Sequence, residues 1–203
     1  MITAILHSHP HTPCPAIRVF SARLLRTAAD RLELQYRIDG DIEQLLVPAL
    51  IQDAASRTRQ DGLWKHTCCE VFLRRTGLQR TSLQQDSLER PSLQQNRTPG
   101  YYEFNFAPSG AWAAYAFDGY RTGMHALEVA EPPAIAVGQT ADRFTIDVAI
   151  TLPQDVVAAD SEAVSLTAVI EDRAGRISYW AVAHAPHKPD FHHDNGFVLR
   201  LPA

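Results

Sequence analysis

Glu70, Glu103, Asn105 and Arg121 are the side chains whose types and spacing could do chemistry, because each is set among aromatic or apolar neighbours. Residues 101–124 read YYEFNFAPSGAWAAYAFDGYRTGM. They predict two adjacent strands joined at Pro108-Ser109-Gly110, which supplies turn chemistry. Side chains alternate along a strand, so Tyr101, Glu103 and Asn105 share one face while Tyr102, Phe104 and Phe106 share the other. On the second strand Trp112, Ala114, Ala116 and Asp118 oppose Ala113, Tyr115 and Phe117. In the stretch 68–73, Glu70 is interleaved with Cys68 and Phe72 against Cys69, Val71 and Leu73, and a carboxylate among apolar groups needs a partner or a task. Rings that cover apolar ligand faces, with carboxylate, amide and guanidinium groups to bond hydroxyls, are what a saccharide site requires. The expected ligand set is Trp64, Glu70, Tyr101, Glu103, Asn105, Trp112, Arg121 and His184, with Trp112 on the face of Glu70, Glu103 and Asn105. The competing reading is a structural ion-pair network of Glu70, Glu103 and Arg121, with the tryptophans in the core.

Two glutamates can also hydrolyse a glycoside, the distance between them deciding the stereochemistry. Ser109 lacks a nucleophile elbow and no glycine-rich phosphate loop is present, so the sequence does not indicate catalysis. The stretch 184–194 holds His184, His187, His192 and His193 with Asp190 and Asp194. Imidazoles and carboxylates can ligate zinc or another divalent metal, but this spacing matches no zinc template and Pro186 and Pro189 favour a surface loop. Haem is the other cofactor alternative, with His184 paired with Met124, His187 or His192.

These groups need a scaffold. Arg31–Ile38 and Arg143–Leu152 alternate apolar with polar residues, and Ile17–Arg26, Ala163–Ile170, Ile177–Ala183 and Gly196–Leu201 also read as strands. No long helix is evident. Ile42–Gln60 is mixed in pattern; within it Ile42–Leu50, with Pro48, predicts a covering loop or short helix, and Glu131–Ala136 a proline-containing connection. Many short strands without helices predict an all-β protein, an antiparallel β-sandwich of immunoglobulin-like or jelly-roll-like type.

Residues 15–203 are expected to form one domain and residues 1–14, with His7, His9 and His11, to be disordered. Residues 76–100 interrupt the domain with a low-complexity loop in which a Leu-led, Gln/Ser-rich pentad occurs four times between 78 and 97. Such pentads carry little that a core could bury. At 203 residues, 45% hydrophobic and 21% charged, the chain has the composition of a folded globular protein. A net charge of −4 gives no general attraction to nucleic acid. The start lacks a basic n-region and no stretch approaches a membrane span, which predicts a cytoplasmic protein with neither nucleic-acid nor membrane partners. Cys14, Cys68 and Cys69 show no disulfide or zinc spacing.

Leu63-Trp64, Thr67–Leu73, Tyr102–Trp112, Phe117 and Tyr120-Arg121 together resemble bacterial DOMON-like proteins, which are akin to family 9 carbohydrate-binding modules. Tyr179–His184 followed by Lys188–His192 is similar to the closing motif of that group. The resemblance spans roughly residues 15–201 without the pentads. It implies a β-sandwich whose relatives hold sugars or haem in a pocket, some haem-holding ones through a Met, and hence a non-catalytic small-ligand module. A structural or partner-binding domain without a ligand is the remaining alternative.

Overall fold

In the computed structural model, residues 1–53, 57–75, 100–158 and 161–201 are described. The chain forms an antiparallel β-sandwich. Its first sheet runs β1 (Ile2–Ser8), β2 (Ile17–Ala28), β3 (Arg31–Gly40), β9 (Arg143–Thr151) and β8 (Ala134–Gln139). Its second runs β7 (His125–Ala126), β6 (Trp112–Phe117), β5 (Tyr101–Phe106), β4 (Cys68–Arg75), β10 (Ser161–Glu171) and β11 (Ile177–Ala181), with β12 (Leu199–Arg200) also on β10. Among the described residues the one α-helix is the short segment Gln154–Ala158, and no helix is long and apolar enough to cross a membrane.

The first sheet follows the predicted alternation. Leu32, Leu34, Tyr36 and Ile38 of β3 and Phe144, Ile146, Val148 and Ile150 of β9 are buried, and the two sets are paired in register. The outward face is polar, with Asp39 accepting from Arg37 at 2.9 Å and from Arg143 at 2.8 Å. The second sheet differs: every residue of β5 and β6 is buried, on both faces. The inner faces of both sheets supply one large apolar core, and Phe72, Tyr101, Ala113, Tyr115, Phe117, Ala163 and Phe197 form a second cluster on the outer face of the second sheet. Gly110 sits in the β5–β6 turn with φ of 91°, a left-handed conformation suited to glycine.

The expectation of disorder before residue 15 is overturned. Ile2–Leu6 pair with β2, and His7 and Ser8 with Ala181 and Trp180 of β11, so β1 joins the two sheets. Backbone pairing on both sides holds this strand, although Leu6 alone of its side chains is buried, which is why side-chain patterning did not disclose it. The connection drawn at Glu131–Ala136 also runs into a strand, β8, and the pentads at 78–97 lie outside the described residues.

One polar contact crosses the sandwich. The fully buried Tyr36 hydroxyl of β3 donates to the Glu70 carbonyl of β4 at 2.5 Å. Tyr36→Phe is expected to lower stability by about 1–2 kcal/mol, seen as a drop of a few degrees in Tm. An unchanged Tm would show that this hydrogen bond adds nothing to the union of the sheets.

Candidate functional site

Strand register decides which side chains meet. Glu70 lies opposite Asn105 on β5 and Thr167 on β10, while Glu103 lies opposite Phe72 on β4 and Tyr115 on β6. Glu70, Glu103, Asn105 and Thr167 therefore share the outer face of the second sheet with Tyr101, Tyr115 and Phe117. Trp112 does not join them. It pairs with Phe106, faces the inner core, and is 7% exposed with Arg59 over its ring at 5.8 Å. Its expected place in the ligand set is corrected by parity: Asn105 faces Ala113, one residue further on.

Over this face lies a cavity of about 490 Å³. Glu70 and Glu103 line it together with Trp64, Arg121 and the rings of Phe117, Tyr179 and Phe191. Trp64 comes from the short 3-10 helix Leu63–Lys65 and meets Tyr115 edge-on at 5.8 Å. The segment after β11 closes the opposite side, with Lys188, Pro189, Asp190, Phe191 and His192 in the wall. Two loops are tied there by one carboxylate. Asp190 accepts from the Arg121 guanidinium at 2.8 Å, from the Tyr120 hydroxyl and from the His192 amide. Burial opposes ionisation of Asp190, but Arg121 and Tyr120 outweigh it and hold the carboxyl below its usual range. Arg121 thus engages Asp190, and the predicted ion-pair network with Glu70 and Glu103 is replaced by this clamp.

The buried carboxyls are connected differently. Glu70 is 2% exposed; its Oε2 accepts from the Thr167 hydroxyl at 3.2 Å and its Oε1 has no partner. Glu103 Oε1 accepts from the Asn105 amide at 2.7 Å, leaving Asn105 Oδ1 without a partner. Burial, reinforced by the charge of Glu103, pushes the Glu70 carboxyl well up. Burial also raises Glu103, against the Asn105 hydrogen bond and the charge of Arg121.

His192 lines the cavity, and Tyr101, expected in the ligand set, does not line it but stands behind His192. Burial pushes the Tyr101 hydroxyl up to about 12, and burial followed by the charge of Arg121 pushes His192 down to about 4. The imidazole is therefore neutral near pH 7, and its Nδ1 can accept from the Tyr101 hydroxyl at 2.9 Å.

His184 lies elsewhere. It does not line the cavity; its Nε2 meets the His7 carbonyl at 2.8 Å and its ring stands edge-on to His9 at 5.0 Å. The suggested pairing of Met124 with His184 is accordingly not made in the cavity, which Met124 and His192 do line. His187 is exposed, and His193 Nδ1 accepts from the Asn195 amide at 3.2 Å. Among the described residues no three His, Cys, Asp or Glu side chains form a group that could hold a metal ion, so the metal alternative lacks a ligand set there.

Tyr179, Lys188, Asp190 and Phe191 belong to this wall and were absent from the expected ligand set, although they fall in the closing motif. Their strand parity or loop path was the missing information.

A carboxyl whose pKa is higher folded than unfolded stabilises the fold below the ordinary carboxylate pKa, and that contribution is lost as pH rises through the folded value. Glu103, raised to about 7, should therefore make stability fall as pH rises from about 5 through that value, and Glu70, raised by burial, acts in the same direction. Glu70→Gln should flatten this fall in thermal unfolding measured across that range. An unchanged slope would show that folding does not raise the Glu70 carboxyl.

No family model and no curated protein matches the sequence. Among solved structures, a family 9 carbohydrate-binding module from Caldicellulosiruptor kristjanssonii, in complex with glucose, is similar over 91% of this chain and 73% of its own, at 8% identity and a TM-score of 0.46.

Proposed function

We propose that this chain is a non-catalytic β-sandwich module that binds a small polar ligand, a saccharide, in the cavity over Glu70 and Glu103. The observation that carries this reading is the unpartnered Oε1 of a nearly fully buried glutamate in a cavity with four aromatic rings, Trp64, Phe117, Tyr179 and Phe191, in its lining. A buried polar atom without a partner costs stability unless something outside the chain answers it. Rings flanking hydrogen-bonding groups suit a molecule with both apolar faces and hydroxyls. The cavity is also of the volume that small-ligand sites occupy. The DOMON-like motifs support the same reading, since Trp64, Glu70, Glu103 and Lys188–His192 all lie in them.

Trp64 is 37% exposed, so its ring can be removed with little cost to the core. In a titration against a panel of mono- and disaccharides, Trp64→Ala should weaken binding by about tenfold or more, as loss of an aromatic platform does. Glu103→Ala should abolish binding while the far-UV spectrum stays that of a β-protein. Unchanged binding in both folded variants would refute this location, and a panel without any binder would refute the saccharide class.

A further inference from the structure

Two atoms of the carboxyl cluster lack partners: Asn105 Oδ1, an acceptor, and Glu70 Oε1, an acceptor once Glu70 is ionised. The Asn105 amide already donates to Glu103 and the Thr167 hydroxyl to Glu70. Of Asn105 and Glu70, Glu70 lines the cavity, and a ligand that meets its ionised carboxylate must present donors.

Charge narrows the choice. Glu70 and Glu103 lie diagonally on adjacent strands of one face, both more than nine-tenths buried. The cationic side chains lining the cavity are Arg121, whose guanidinium is taken by Asp190, and Lys188, which is exposed. His192 is held neutral and Thr167 brings no charge. A neutral hydroxyl can answer the unpartnered oxygen but brings no charge to hold a carboxylate ionised, and without one burial favours the protonated pair. An ammonium group answers both needs: it has three donors and a positive charge. The rings of Trp64, Phe117, Tyr179 and Phe191 suit a cation as well, because an aromatic face attracts positive charge.

We propose that the ligand of this cavity carries a protonated primary amine, an amino sugar within the saccharide class, with its ammonium seated between Glu70 and Glu103. The assignment rests on reading the cavity as the ligand site. The exchange balances simply: the incoming ammonium keeps its protons, a protonated glutamic acid of the pair releases one to solvent, and the resulting carboxylate accepts from the ammonium. No covalent bond to carbon or nitrogen changes. The raised carboxyls supply that proton.

The test is calorimetric titration of the 203-residue chain near pH 7 with glucosamine, N-acetylglucosamine and glucose, repeated in two buffers of different ionisation enthalpy. Glucosamine should bind roughly ten- to a hundredfold tighter than the other two, the value of a hydrogen bond to a charged group. Its heat alone should depend on the buffer, reporting the released proton. Glu70→Gln, or Glu103→Gln if the first variant does not fold, should reduce glucosamine to the affinity of glucose.

Equal affinities for the three sugars, or a buffer-independent heat, would overturn the ammonium assignment and leave the saccharide reading standing. Methylammonium chloride, followed by two-dimensional NMR, separates the remaining cases. Shifts at Trp64 and Glu103 with no response to any sugar would uphold the cation site and refute the saccharide. No response to any of the four probes would refute both.

Discussion

Strand alternation in β4 turns Cys69, Val71 and Leu73 into the core and leaves Glu70 on the far side of the same sheet. No rotation of the strand relieves this, since a slip of one residue would expose the apolar set and bury more polar groups. The carboxyl must then be covered, because β5 and β10 flank it and Tyr36 fixes its backbone from across the sandwich. The cavity arrangement follows from that fixed position. Thr167 and Asn105 face it by register, and Glu103, two residues before Asn105, is carried to the same side. Apolar packing inside the sandwich and polar chemistry outside it are thus two results of one register.

Covering the outer face is the work of segments without regular structure. Phe197 packs edge-on to Phe72 at 6.3 Å, the Arg74 guanidinium lies over the Phe197 ring at 4.2 Å, and Phe191 meets Tyr179 edge-on at 5.8 Å. Loops gain order by burying such rings, which offsets the conformational entropy of fixing them. Asp190 links this cover to the loop carrying Tyr120 and Arg121. Arg121 itself has φ of 54°, unusual outside glycine, and its guanidinium is about half exposed. The ion pair adds little stability by itself at that exposure, so its effect is on geometry: it sets the distance between the two loops that wall the cavity.

The sandwich was legible because its signals are local. Leu32–Ile38 and Phe144–Ile150 announce a one-sided sheet, and Glu70, Glu103 and Asn105 stand out as polar groups in strands otherwise given to burial. Trp112 could not be assigned from its strand alone. Its side depends on which residue of β5 it faces, and that register is set by the turn at Gly110 and by the partner strand. Arg121 was read as a partner for glutamates because nothing in the sequence brings Asp190 to it; the contact depends on how the segment after β11 folds back. His184 was singled out for its place at the end of a strand, yet the strand's neighbour is β1, so it meets His7 and His9.

The seam made by β1 bears on the order in which the structure can form. Local hairpins such as β2–β3 and β5–β6 close loops of a few residues. The pairing of His7 with Ala181 closes nearly the whole chain described, and loop-closure entropy makes such contacts late and slow. During synthesis the first sheet's edge must wait, unpaired on one side, until β11 has emerged. A waiting edge strand is a template for other chains. Ile2–Ser8 carries Ile2, Ile5 and Leu6, with Ile5 47% exposed even in the folded chain, so the segment left open longest offers a wrong partner both an unpaired backbone and apolar surface.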